Sequence, residues 1–204
     1  MSRHGYRGDG AYGQFCVVLP EHDVVLALTG QSLDMQKVLD LAWEHLLPAF
    51  GGADTVDVGG AAADAALQQR LSAPSLPPVP NSDAIPPLTS GSFGAAHGND
   101  HPTLSRITLE ADELGWALTL HDADDRIEIV PGLGTWNVID VMAVSAGWIS
   151  SGSLAVDVIF IETPHRLQLV LNVASSTFTA KWATHPLDQR PLREIRMPRP
   201  ELED

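Results

Sequence analysis

Apolar positions in the first fifty residues follow a strand pattern and then a helix pattern. Residues 14–19 and 24–29 are apolar almost throughout and rich in valine, which predicts two β-strands. Residues 20–23, beginning with Pro20, have the composition and length of a turn between antiparallel neighbours. From residue 33 to residue 47 apolar side chains recur at three- and four-residue steps, which predicts an amphipathic helix. Because the two strands show little polar alternation, we expect both faces of this hairpin to be covered.

Short apolar runs separated by turn residues fill the C-terminal half of the chain. They recur about every ten residues, which is typical of an antiparallel β sandwich or barrel. The tryptophans and phenylalanines of these runs are expected to supply much of its core, because large aromatic side chains dominate burial. The predicted strands are residues 105–111, 115–121, 126–130, 138–145, 155–162, 166–173 and 177–184.

The segment between these two patterns is rich in alanine, glycine and proline. It holds one predicted short helix, residues 61–71, followed by six prolines between Pro74 and Pro87. Proline removes backbone donors and disfavours helix in the preceding residue, so this stretch is predicted to be an extended linker or a strap lying on a surface. The resulting fold class is α+β. Its predicted parts are a hairpin-and-helix unit over 1–50, a linker over 51–100 and an antiparallel β domain over 101–204.

Charge and composition exclude several classes of partner. The 204 residues contain 12 Lys and Arg against 26 Asp and Glu, a net charge of −14, which argues against nucleic acid and anionic membranes as partners. A single cysteine excludes a disulfide framework within the chain. No apolar run reaches the length of a membrane span, and the N-terminal residues lack the apolar core of a signal peptide. We therefore expect a cytoplasmic protein, with a signal peptide upstream of a misassigned start left open.

The glycine-rich string near the N-terminus invites a nucleotide-binding interpretation that its context does not support. Gly8, Gly10 and Gly13 match G-x-G-x-x-G. That fingerprint requires a strand before the glycines and a helix after them, whereas a predicted strand follows here. Cys16 lies within this apolar strand with no base nearby, so it is expected to pack in the interior rather than to act as a nucleophile.

The same region resembles a known enzyme family. The family is the serine β-lactamase-like hydrolases, which include class C β-lactamases and penicillin-binding-protein-like esterases. The resemblance implies an edge strand carrying an H-x-G motif, a glycine-rich stretch, a hairpin, a closing strand and a helix over residues 1–50, followed by a β-rich extension. It also implies hydrolysis of a small amide or ester through an acyl-serine. The residues that carry it are His4-Gly5-Tyr6, residues 8–15, residues 17–20 and Asp23.

The family's nucleophile motif, S-x-x-K, does not occur in the sequence. The only lysines are Lys37 and Lys181, and three residues before them stand Asp34 and Phe178. The chain is therefore expected to be a C-terminal fragment of such a hydrolase, inactive alone because it lacks the nucleophile and its base.

His4 and Gly5 are the only residues that the resemblance carries over to an active site. They are interpreted as a remnant of the H-x-G motif, in which His4 would supply a donor near a substrate carboxylate or oxyanion. The glycine stands second rather than third, so the match departs from the family pattern by one residue.

A non-catalytic module that binds a ligand or partner is the alternative function. A closed barrel with an apolar interior would favour it, and a filled sandwich core would not. No cofactor is expected. No metal site is expected either, because the closest histidine pair, His97 and His101, lies in a loop-like segment without other metal-ligand spacing. Self-association through the exposed hairpin is also predicted.

Overall fold

The computed structural model describes residues 5–50, 60–82, 86–113 and 115–195. The chain divides into two compact units, Met1–Leu76 and Pro77–Asp204, and each contains its own β-sheet. The predicted α+β class is confirmed, with strands far outweighing the helices. Among the described residues, no helix combines the length and the hydropathy that crossing a bilayer requires.

The first unit contains a three-stranded antiparallel sheet in the order β1-β2-β3. Its strands are β1 (Tyr6–Gly10), β2 (Gln14–Leu19) and β3 (Val24–Leu28). The predicted hairpin is confirmed as β2 and β3, joined through Pro20–His22 and a left-handed Asp23. The extra strand β1 occupies part of the glycine-rich string. Its two glycines give it little strand propensity, and pairing with β2 along its whole length holds it in place.

The predicted helix is confirmed with an irregular second half. Helix α1 (Met35–Leu41) begins at Asp34, whose side chain accepts a hydrogen bond from the backbone N–H of Lys37 at 3.0 Å. A π-helical turn (Ala42–Leu46) and a 3-10 turn (Leu47–Phe50) follow. Leu39 packs with the inward side chains of β2 to form a small core. The predicted short helix is also present, as α2 (Gly60–Ser72), and it buries none of its residues.

The expectation that both faces of the hairpin are covered is wrong, and so is the interior placement of Cys16. Side chains alternate along β2, so Phe15 and Val17 enter the core beneath α1 while Cys16 is exposed on the opposite face. Val25 on β3 is 64% exposed. In the described part of this unit, the helix therefore covers one face of the sheet. The apolar composition of the strands does not indicate a second layer on the other face.

The second unit is built on one large sheet of ten strands. Its order is β7-β6-β5-β4-β13-β12-β11-β10-β8, with β9 paired to β10. The strands are β4 (Gly91–Ala95), β5 (Leu104–Ala111), β6 (Trp116–Asp122), β7 (Asp125–Ile129), β8 (Gly132–Leu133), β9 (Asn137–Ile139), β10 (Met142–Ser150), β11 (Ser153–Phe160), β12 (Arg166–Asn172) and β13 (Thr177–Thr184).

Three sequence predictions for this unit need correction. The sheet is mixed rather than antiparallel, because β4 pairs with β13 and β8 pairs with β10 in parallel. The predicted linker over 51–100 includes strand β4, whose sequence of glycine, serine and alanine around Phe93 gives a weak strand signal. The predicted strand over 138–145 is two strands, β9 and β10, because Asp140 takes a left-handed conformation at φ 53° between them.

The large sheet is strongly curled, and the chain connection shows why. Strands β7 and β8 stand at opposite ends of the strand order, yet only Val130 and Pro131 separate them in sequence. So short a connection reaches at most roughly 11 Å, so the two ends of the sheet are brought together on one side. The side chain of Asn137 reinforces this seam by donating to the carbonyl of Val130 at 2.7 Å.

Alternate side chains of the curled sheet point inward and fill most of its interior. The inward positions include Leu118 and Leu120 on β6 and Leu167, Leu169 and Leu171 on β12, all almost completely buried. A short helix, α3 (Leu192–Ile195), adds Leu192 and Ile195 to this core. Trp148, Phe160, Phe178 and Trp182 belong to it as predicted, while Trp116 packs against it partly buried.

The proline-rich residues 77–82 form a strap along β10. The backbone N–H of Val79 donates to Ser145 Oγ at 3.0 Å. Asn81 and Ser82 bond to the backbone nitrogen and oxygen of Trp148 at 2.8 and 2.9 Å. A Cβ atom at Gly147 would lie 2.4 Å from the carbonyl oxygen of Pro80, so glycine is what permits this close approach.

Candidate functional site

The two residues carried over from the hydrolase resemblance lie at the start of the first unit. His4 lies outside the described residues, so its role stays a prediction. Gly5 has a φ of 150°, and a Cβ atom there would lie 2.1 Å from the carbonyl oxygen of Val18. Close packing of its backbone against β2 accounts for this glycine without any catalytic role.

The two histidines singled out in the sequence lie in different environments. His97 is exposed in the connection between β4 and β5, whereas His101 is 3% exposed and contacts Asp122. Across the ranges that the structure describes, no three His, Cys, Asp or Glu side chains come together as a possible metal site.

The most polar interior site lies at one end of the curled sheet, around Asp122 at the end of β6. Its carboxylate is fully buried and accepts hydrogen bonds from Thr103 Oγ1 and from the backbone N–H of Leu192, both at 2.5 Å. The ring nitrogen Nε2 of His101 lies 3.2 Å from the same carboxylate. Burial by itself raises the pKa of Asp122, but the hydrogen bonds with these three groups outweigh it and hold the pKa below the usual range of an aspartate.

This polar cluster is built to hold the chain together rather than to meet a substrate. His101 and Asp122 are 3% and 0% exposed, so neither presents an atom to a solvent-borne molecule. The indole of Trp182 closes over them, with its ring centre 5.6 Å from that of His101 and 6.1 Å from that of His165. A buried carboxylate that is hydrogen-bonded to two other segments, residues 101–103 and Leu192, is a structural tie, and here it fastens α3 to β6.

The opposite end of the curled sheet contains a cavity of about 180 Å³. It lies where β4, β11 and β13 begin and where β5, β10 and β12 end, and residues 86–90 pass across it. Its lining mixes large apolar side chains with polar groups, among them four serines. The apolar wall residues are Phe93, Leu109, Trp148, Leu154 and Leu171, and the serines are Ser90, Ser92, Ser151 and Ser176.

One of the residues that line the cavity, Gly91, carries no side chain. Gly91 and Phe93 are two residues apart on β4 and so share the inward face. A Cβ atom at Gly91 would point toward the ring of Phe93, 3.6 Å from its nearest atom, without a clash. A larger residue at this position would therefore extend its side chain into the space that the glycine leaves open.

Trp148, which lines the cavity, is deeply buried. The residue is 3% exposed, and in the described part of the chain its indole N–H is buried without a hydrogen-bond partner. The strap fixes the backbone of Trp148 on both its nitrogen and its oxygen. An orphaned donor of this kind is rare in a folded protein and calls for an explanation.

The sequence did not single out these cavity residues as a site. Gly91 and Phe93 fall within the predicted linker, and Trp148 was expected to be an ordinary core residue. The useful signal was a lone aromatic residue between small ones in Gly-Ser-Phe-Gly-Ala, because a strand that alternates small and large inward residues leaves space in a core.

Comparison of this chain with protein-family models, with curated proteins and with solved structures found no match. The resemblance of residues 1–50 to the β-lactamase-like hydrolases therefore stays a prediction.

Proposed function

We propose that the second unit is a binding module that takes a small, largely apolar molecule into the cavity beside Trp148. The observation that carries this proposal is the cavity itself, which is lined by several large apolar side chains and by Gly91 at one end of an otherwise filled sheet. Apolar cavities of about 150 Å³ remain dry and take up molecules such as benzene. The 180 Å³ present here suits a ligand of one ring or an equivalent short chain.

The filled interior limits where such a ligand can bind. The hypothesis of a binding module was favoured by a closed barrel with an apolar interior. In this sheet, however, inward side chains fill most of the interior. Binding is therefore confined to the end lined by residues 86–93 and Trp148. A ligand of about eight heavy atoms that buries its apolar surface there is expected to bind with a Kd between roughly 10 μM and 1 mM.

Titration of the full chain with toluene by isothermal calorimetry tests the proposal. Gly91→Leu fills the cavity from its wall and is expected to abolish measurable binding. Gly94→Leu is the matched control on the same strand, because a Cβ atom at Gly94 meets nothing within 4 Å, and it should bind toluene like the unchanged protein. Equal binding by both variants, or no binding by the unchanged protein, would overturn the proposal.

A second candidate is that the first unit is the closing part of a β-lactamase-like hydrolase. What supports it is the order of elements: a glycine-rich strand, a hairpin turning at Pro20–His22, and a helix on one face of the sheet. Reading the gene upstream of Met1 tests it. An in-frame Ser-x-x-Lys about 250–300 residues upstream would support the candidate, since a domain of that size carries the motif. Stoichiometric labelling of this chain alone by a fluorescent penicillin would contradict the inactive fragment.

A further inference from the structure

We infer that two copies of the chain pair through the free edge of strand β3 and so join their three-stranded sheets into one sheet of six strands. This inference concerns the first unit and does not depend on the cavity of the second. Among the described residues, β3 pairs with β2 alone. Its other side therefore presents backbone N–H and C=O groups to which a further strand can bind.

The two edges of this sheet differ in the features that prevent pairing with another chain. Strand β1 contains Arg7, Asp9 and two glycines, and charged residues and weak strand formers are what protect a sheet edge. Strand β3 has the sequence Val-Val-Leu-Ala-Leu, which has no charge, proline or glycine and includes two β-branched residues that favour strands. The sheet is therefore protected at β1 and open to pairing at β3.

The side chains of β3 on the face that α1 covers are only partly enclosed. Val17 and Leu19 on β2 are 0% exposed, whereas Leu26 and Val24, which stand opposite them on β3, remain half-buried. The β2 side chains have a strand on either side, but those of β3 have a neighbouring strand on one side only. A second copy of β3 would supply the missing neighbour and remove this apolar surface from water.

The sequence of β3 is self-complementary in one antiparallel register. In this register Leu26 lies opposite Leu26 of the second copy. Val24 then faces Leu28, and Val25 faces Ala27. Because directly opposite residues of an antiparallel pair share a face of the sheet, the half-buried side chains of both copies come together on the face that carries α1.

Charge is compatible with this pairing and limits it to a dimer. Asp23, which precedes β3, comes opposite Thr29 of the second copy, so the paired segments bring no like charges together. The pairing is twofold symmetric and uses both β3 edges, which leaves the two charged β1 strands at the ends of the joined sheet. Each chain carries a net charge of −14, so added salt should strengthen the dimer by screening the repulsion between the copies.

Sedimentation equilibrium of the full chain tests the inference. Strands of five residues make a small interface, so we expect a weak dimer with a Kd on the order of 10–100 μM. Val25→Lys places a lysine on the open edge, where it opposes pairing, and should raise the Kd at least about 10-fold. Tyr6→Lys is the matched control on the β1 edge, because Tyr6 and Val25 are 63% and 64% exposed. It should leave the Kd unchanged.

Disulfide crosslinking tests the register. Val25→Cys and Ala27→Cys are made as separate proteins in a Cys16→Ser background, because Cys16 stands opposite Ala27 within one copy. When the two proteins are mixed and oxidised they should crosslink, since directly opposite residues lie about 5 Å apart. Either protein alone should crosslink poorly, because its two cysteines lie on a diagonal of about 8 Å, which is too far for a disulfide.

Three outcomes would overturn the inference. One is an unchanged protein that stays monomeric at roughly 1 mM, ten times the upper expected Kd. Another is an equal effect of Val25→Lys and Tyr6→Lys on the Kd. The third is crosslinking of either cysteine variant alone as readily as in the mixture. None of these outcomes bears on the proposed binding function, which the toluene titration measures separately.

Discussion

Asp122 accepts a hydrogen bond at 2.5 Å from the backbone N–H of Leu192, a residue 70 positions later in the chain. This bond joins the end of strand β6 to the start of helix α3, and Leu192 is completely buried in the core. This buried carboxylate therefore helps to attach helix α3, and it also contacts Thr103 and His101.

Replacement of Asp122 is expected to destabilise the second unit strongly. Asp122→Ala leaves the buried Leu192 N–H and the Thr103 hydroxyl without their acceptor, so the free energy of unfolding should fall by about 2–4 kcal/mol. Urea denaturation followed by tryptophan fluorescence measures this. Asp124→Ala is the control, because Asp124 is exposed in the turn that follows and its loss should change stability by less than about 0.5 kcal/mol. Equal midpoints for the two variants would contradict the structural role of Asp122.

Stability should decline as the pH falls below neutrality, and His165 accounts for part of this dependence. Burial lowers the pKa of His165 below 6.5, and the nearby positive charge of Arg190 acts in the same direction. The unfolded state therefore binds this proton more readily than the folded state. The contribution is complete above about pH 6.5 and is lost as the pH falls through the lowered pKa of the folded state.

His165→Gln removes this source of pH dependence. The free energy of unfolding, measured by urea denaturation between pH 7 and pH 5, should fall less steeply in His165→Gln than in the unchanged protein. His97→Gln provides the matched control, because His97 is exposed, and it should keep the original slope. Identical slopes for all three proteins would show that burial of His165 does not penalise its charged form.

Asp157 and Arg166 form an ion pair between neighbouring strands. Removing Arg166 alone should destabilise the protein more than removing both partners. Arg166 Nε lies 2.8 and 3.0 Å from the two carboxylate oxygens, and Asp157 is 5% exposed. Arg166→Met leaves this carboxylate buried without its counter-charge and should cost about 3 kcal/mol. The double variant Asp157→Val, Arg166→Met should recover most of that loss. Thermal unfolding of the four proteins of the cycle gives the coupling, and additive losses would argue against it.

Gly147 controls the proline-rich strap. Gly147→Ala places a Cβ atom 2.4 Å from the carbonyl oxygen of Pro80, so residues 77–82 must move away from β10. The expected result is faster proteolytic cleavage within 77–82 and a loss of about 1–3 kcal/mol in unfolding free energy. Gly152→Ala is the control, since a Cβ atom there meets nothing within 4 Å. Unchanged cleavage in Gly147→Ala would mean that the strap does not depend on this close approach.

The sequence predicted those elements in which apolar side chains recur at regular intervals. Strands β2 and β3, helix α1 and most strands of the curled sheet follow directly from apolar spacing. Strands β1 and β4 were missed because each contains two glycines and little apolar alternation, and their neighbours in the sheet hold them in the strand conformation. The pairing of β4 with β13 could not be read from either segment alone, because a parallel pair leaves no turn signal between its strands.

The candidate site was harder to predict than the fold. The cavity is lined by residues from six strands and from residues 86–90, and a linear pattern does not record which of these segments meet. The burial of Trp148 was predictable from its size. That its N–H has no partner among the described residues depends instead on which acceptors the surrounding strands present, and this is set only when the sheet is assembled.

The parallel pairing of β4 with β13 has a consequence for synthesis of the protein. Gly94 is paired with Thr177, 83 positions later, so β4 has a neighbour on one side only until the last strand has left the ribosome. Contacts of such long range slow folding, because the intervening loop must close before they form. The nascent second unit is therefore expected to expose an unpaired strand edge during most of its translation, and to need protection from other chains for that period.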